Sequence, residues 1–125
     1  MKSIITVHEL HIPDKHKRFI TGFLNQARYI PTFSQITDFI LFGSCARGDA
    51  TDVSDVDIMA IGNGIGDDTL FDLYDCAFYP GWDEKENLIN NDIMVNDKKH
   101  FEIHLHNVGS LQWRINKDGV ILKCL

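Results

Sequence analysis

Between Gly43 and Asp57 the chain reads GSCARGDATDVSDVD, a run whose residue types and spacing suit chemistry on phosphates. Val56, Ile58 and Ala60 alternate there with Asp55, Asp57 and Met59, the period of a strand with two unlike faces. Asp55 and Asp57 then share a face, roughly 6.5 Å apart along the strand, close enough for both carboxylates to hold one or two magnesium ions. Ions so placed stabilise the attacking and leaving oxygens of an in-line displacement at phosphorus. Upstream, Gly43 and Ser44 follow an apolar run. Glycine lets the backbone approach a ligand closely, and the next residues can open a helix whose free N–H groups and dipole attract phosphate. Ser44 adds a hydroxyl donor, and Arg47 suits either a polyphosphate or an ion pair with a neighbouring aspartate.

The elements that must position these groups follow from the apolar pattern. Phe39, Ile40, Leu41 and Phe42 form the unbroken run of a strand buried on both faces. Before it, Pro13 and Asp14 open a helix with Phe19, Ile20, Phe23, Leu24 and Ala27 at helical spacing, closed by Pro31. After the aspartates, Asn63-Gly64-Ile65-Gly66 is a turn, and Asp67 or Asp68 caps a helix carrying Leu70, Phe71, Leu73, Tyr74, Ala77 and Phe78, ended by Pro80-Gly81. Residues 82–91 read as a polar loop or strand extension, with Asp92-Ile93-Met94-Val95 as a further strand. Ser110 caps a last helix with Leu111 and Ile115, and Asp118-Gly119 turns into a short final strand. Ile4, Ile5 and Val7 fit an edge strand or a partner contact. The pattern predicts an α/β (α+β) fold, a small mixed sheet flanked by helices.

Gly43, Ser44, Ala46, Gly48, Ser54, Asp55 and Asp57 match GSxAxGxxxxxSDxD, and the chain thereby resembles the DNA polymerase β-like nucleotidyltransferase superfamily, in its compact form the minimal nucleotidyltransferases (MNT domains). The resemblance covers about residues 38–123. It implies a polymerase β-like nucleotidyltransferase fold and transfer of a nucleoside monophosphate, AMP from ATP first among the choices, to a hydroxyl with magnesium (manganese as the alternative ion). Asp55 and Asp57 would hold the metal, and Gly43, Ser44, Arg47 and Ser54 would lie at the nucleotide. A third acidic residue on a later strand would complete the metal site and serve as base. Asp92 is its match; Asp97 reads instead as the cap of the next helix and Glu102 as a position within it. Similar MNT proteins are often antitoxins paired with a helical HEPN-type toxin ribonuclease, which they can adenylylate on a tyrosine. A catalytically weak protein that neutralises such a toxin by contact is the alternative, and a homodimer is another arrangement.

The chain has 125 residues, 44% of them hydrophobic, which is consistent with one globular domain over 1–125. No apolar stretch has the length of a membrane span, and the N-terminus lacks a secretory pattern, so a cytoplasmic setting is expected. Cys45, Cys76 and Cys124 are too dispersed for a disulfide framework and read as reduced, buried thiols. A net charge of −6 disfavours broad nucleic-acid binding. Asp49, Asp52, Asp55 and Asp57 supply part of it, and a metal-nucleotide complex suits that cluster better than a polyanion. The GxxxxGK loop of P-loop ATPases is absent. His100, His104 and His106 are spaced as zinc ligands could be, yet no HExxH motif or nearby cysteine accompanies them, and a polar helix face is the commoner meaning. Trp82 and Trp113 read as core or loop anchors rather than base-stacking platforms.

Overall fold

Alternation along two adjacent strands builds a core on each face of one sheet. In β2 (Ile36–Phe42), Phe39 and Leu41 join one cluster and Ile40 the other; in β3 (Val56–Gly62), Ile58 and Ala60 divide likewise from Met59 and Ile61. The computed structural model describes residues 2–81 and 89–123. Its remaining strands are β1 (Lys2–Ile5), β4 (Asn91–Asp97) and β5 (Val120–Leu122), and the sheet order is β1-β5-β2-β3-β4. β1 runs parallel to β5 and β4 parallel to β3, while β2 is antiparallel to both its neighbours. This is the mixed sheet expected from the sequence. Residues 82–88, with Trp82, and also Cys124 lie outside the described residues.

Two helices cover the first face. α1 (Asp14–Ala27) buries His16, Phe19, Ile20, Phe23, Leu24 and Ala27, the 3.6-residue stripe of the sequence plus one histidine. Phe23 meets Phe39 of β2 edge-to-face, with ring centroids 5.8 Å apart. α3 (Asp67–Gly81) packs Leu73, Cys76 and Ala77 into the same cluster. Asp67 and Asp68 lie within its first turn rather than ahead of it, so they act on the helix through charge at its positive end instead of as the cap.

The second face is closed by Phe101 of α4 (Lys98–His104) and Ile115 of α5 (Leu111–Asp118). Both helices begin at side-chain caps: Asp97 accepts from Lys99 N at 3.1 Å, and Ser110 Oγ accepts from Trp113 N at 3.1 Å. Trp113 is half-buried, with the Lys117 ammonium 5.4 Å from its ring centroid. No helix among the described residues is long and apolar enough to cross a membrane.

Candidate active site

At the end of β2 the chain makes an abrupt turn into α2 (Ser44–Arg47), a single helical turn. Gly43 carries it with φ 73° and ψ −157°, a region in which only glycine is comfortable. The local packing demands glycine for a second reason: a Cβ at Gly43 would collide with Oδ2 of Asp57. The backbone turn and the first strand aspartate are thus in direct apposition. Ala46 N and Arg47 N donate to Gly43 O at 3.1 Å each, and the N–H groups of Ser44 and Cys45 precede these first helical bonds.

Asp57 lies on β3 opposite Phe42 of β2 and opposite Asp92 of β4. The parallel pairing of Asp57 with Asp92 sets these carboxylates on adjacent strands, about 4.8 Å apart at the backbone, and on the same sheet face as Met59 and Met94. Asp97 sits five residues further along, in register with Gly62, so about 16 Å of strand separates it from Asp92. There it accepts from Gly64 N at 2.9 Å and Lys99 N at 3.1 Å, which hold its carboxyl below the ordinary aspartate value. Asp97 is therefore a cap, and Glu102 is exposed within α4.

Asp55 stands one residue ahead of β3 rather than within it. The two peptides on either side of it are fixed by side-chain bonds together with one backbone bond. Cys45 Sγ donates to Asp55 O at 3.4 Å, and Val56 N donates to Asn90 O at 2.9 Å. Ser54 closes a turn: its N–H donates to Thr51 O at 3.1 Å and its hydroxyl accepts from Thr51 N at 2.8 Å. His16 Nε2 lies 2.8 Å from Ser54 O. The sequence reading did not single out this histidine, although a polar residue one turn before Phe19 and Ile20 on an apolar stripe was the available signal.

The electrostatics are those of crowded carboxylates. Asp57 is half-buried, and burial first, then the negative charges of Asp92 and Asp55, hold its carboxyl above the ordinary value; Arg47 pulls it partly back. Arg47 Nε also lies 3.5 Å from Asp49 Oδ2, an exposed pair of small energetic weight. Burial first, then the negative charges of Asp57, Asp49 and Asp55, push the Cys45 thiol up to about 11, so it is a neutral hydrogen-bond donor and not a nucleophile at physiological pH. Cys45 and Cys76 are both free and buried.

Asp55, Asp57 and Asp92 could offer oxygen donors of the kind a hard divalent cation takes, and the repulsion of Asp92 and Asp55 at Asp57 is what such an ion would relieve. Among the described residues no three His, Cys, Asp or Glu side chains are already gathered into a metal cluster. That also holds for the histidines. The rings of His100 and His104 lie tilted at 52° to each other with centroids 4.4 Å apart, and are bonded to Asn96 and Asn107 respectively.

The family described as "Nucleotidyltransferase domain" matches residues 25–118, well over half of the chain and inclusive of Gly43, Ser44, Arg47, Ser54, Asp55, Asp57 and Asp92, while His16 lies ahead of the match. A solved structure from Sulfolobus solfataricus, described as that of a candidate nucleotidyltransferase, is similar with 20% identity and a TM-score of 0.47, over 86% of this chain and 80% of that one. No curated protein matches the chain.

Proposed function

This chain belongs to the nucleotidyltransferase domain family, and on that premise we propose that it moves a nucleoside monophosphate, AMP from ATP first, to a hydroxyl of another molecule and releases pyrophosphate. The observation that carries the reading is the pairing of Asp57 with Asp92 beside the Gly43 turn, with Asp55 just ahead on the chain. Asp55, Asp57 and Asp92 would hold magnesium or manganese. When bound, the ion supplies charge neutralisation to the triphosphate and to the oxygens that gain charge.

The chain's own residues do the rest. Gly43 makes the turn that brings the backbone against Asp57, and the Ser44 hydroxyl and the leading N–H groups of α2 donate to the phosphate oxygens. Arg47, exposed at the rim, adds positive charge. Ser54 keeps the Thr51–Ser54 turn closed so that Asp55 is presented at the site. Asp92, exposed at the start of β4, accepts the acceptor's proton as its oxygen bonds to the α-phosphorus and the bond to the β-phosphate oxygen breaks. Positioning and charge neutralisation account for most of the rate in such transfers.

The test is to incubate the protein with magnesium and ATP labelled at the α- or the γ-phosphate, with cell protein as the acceptor pool. The proposal expects the α label alone to become fixed to an acceptor, and Asp57→Asn to abolish it. Fixed label that survives Asp57→Asn would overturn the assignment.

A second reading, contact neutralisation of a helical HEPN-type toxin, draws on a different surface. Phe71, Tyr74 and Phe78 lie at i, i+3 and i+7 of α3, with Phe71 and Phe78 63% and 64% exposed. Asp67, Asp68, Asp72 and Asp75 flank them. This row belongs to the helix covering the sheet face opposite Asp57, so a basic-rimmed partner docked there would leave the carboxylates open. Loss of neutralisation in Phe71→Glu with retention in Asp57→Asn would favour contact over catalysis.

A further inference from the structure

We infer that His16 is a positioning residue for the catalytic loop, a pin from α1 that fixes the peptide bearing Asp55; the inference rests on the nucleotidyltransferase reading of that site. His16 is fully buried on the apolar face of α1, among residues that pack against the sheet. Its neighbours on that face are Phe19 and Ile20, and an aliphatic side chain would satisfy the packing without burying two polar nitrogens. The imidazole makes one bond in return. Nε2 lies 2.8 Å from the carbonyl of Ser54, across 38 residues of sequence. A carbonyl only accepts, so Nε2 carries the hydrogen, and among the described residues Nδ1 is left buried without a hydrogen-bond partner. An orphaned nitrogen is a cost that packing does not explain, and the Ser54 bond is what offsets it.

The place of that bond gives it its consequence. The Ser54 carbonyl belongs to the peptide that links Ser54 to Asp55. The next peptide is held from the other side, through Cys45 Sγ on Asp55 O, and through Val56 N on Asn90 O. Asp55 is exposed and lies outside the β3 ladder, so these pins do for it what strand pairing does for Asp57. Of them, His16 is the one that ties the loop to the helical layer on the far side of the sheet. Its role is to reduce the freedom of Asp55 before a metal-nucleotide complex arrives, which raises affinity by lowering the ordering cost of binding.

The experiment compares wild type with His16→Leu, His16→Phe and His16→Gln, since Gln alone can offer a donor near the position of Nε2. Two quantities are read: the dissociation constant for ATP with manganese, and amide hydrogen exchange across residues 49–57 against that of α1 and β2. The expected result is about a tenfold loss of affinity and about tenfold faster loop exchange in Leu and Phe, with α1 and β2 unchanged and Gln close to wild type. A uniform rise in exchange across α1 and β2, or loop exchange in a folded Leu or Phe variant equal to wild type, would overturn the pin. If neither apolar variant folds, Gln decides, and a folded Gln variant with a released loop overturns it. Should wild type bind no nucleotide, the nucleotidyltransferase reading fails by itself, while the exchange pattern still decides whether His16 holds the loop.

Discussion

Gly43→Ala tests the apposition of turn and strand most sharply, because two separable penalties meet at one methyl group. The first is conformational: φ 73° with ψ −157° is a backbone region nearly confined to glycine, and an alanine held there costs about 1–3 kcal/mol. The second is steric, since the new Cβ would overlap Asp57 Oδ2 and push the carboxylate out of its place or the turn out of its path. Together they amount to about 2.5 kcal/mol, which for a chain of this length lowers the melting temperature by about 10 °C. Thermal melts of four proteins separate the terms: wild type, Gly43→Ala, Asp57→Ala and the double variant. In the Asp57→Ala background the conformational cost remains and the collision is gone, so Gly43→Ala should cost about 1 kcal/mol less there. Melting within about 2 °C of the parent in both backgrounds would refute the argument, and equal losses in both would refute the collision.

The remaining expectations concern charge and capping. Asp57→Asn should melt above wild type at neutral pH in the absence of divalent ions, because it removes a half-buried charge that Asp92 and Asp55 repel, and should lose metal-dependent nucleotide binding at the same time. Folding raises the pKa of Asp57, so its stabilising contribution is full below the ordinary aspartate value and is lost as pH rises through the raised one. Melts from acid to neutral pH should show wild type losing stability relative to the Asp57→Asn variant in that direction, and magnesium narrowing the gap; the opposite slope would contradict the cause assigned. Ser110→Ala removes the bond to Trp113 N and should cost about 1 kcal/mol, or about 4 °C, measured by the same melts, while nucleotide affinity stays unchanged.

The legible part of this molecule was the part written in local pattern. The stripe of α1 is periodic in sequence, and Asp97 and Ser110 stand where cap residues stand. The chemistry-bearing run identified Gly43 and Asp57 by type and spacing, but the reason Gly43 must be glycine is a contact across two strands that spacing does not express. Asp92 came from family resemblance alone; its register opposite Asp57 is a property of the sheet, since residues 35 apart in sequence become neighbours only through a parallel crossover. Ile36-Thr37-Asp38 extends β2 beyond the apolar run because pairing with Ile61 and Gly62 uses backbone groups, and Thr37 Oγ1 donates to Ile61 O at 3.1 Å. Residue type suggested Asp67 and Asp68 as caps where α3 had already begun. His16 escaped for a related reason: its bond partner is a backbone carbonyl, which no residue type advertises.

The central claim is that Asp55, Asp57 and Asp92 make a working metal-nucleotide site. Calorimetric titration of the protein with ATP, with and without magnesium, against Asp57→Asn and Asp92→Asn tests it most directly. The account predicts saturable binding to wild type that requires magnesium and is lost in both variants, each still folded by its melting curve. Binding that is indifferent to magnesium, or that survives in a folded Asp57→Asn protein, would contradict it.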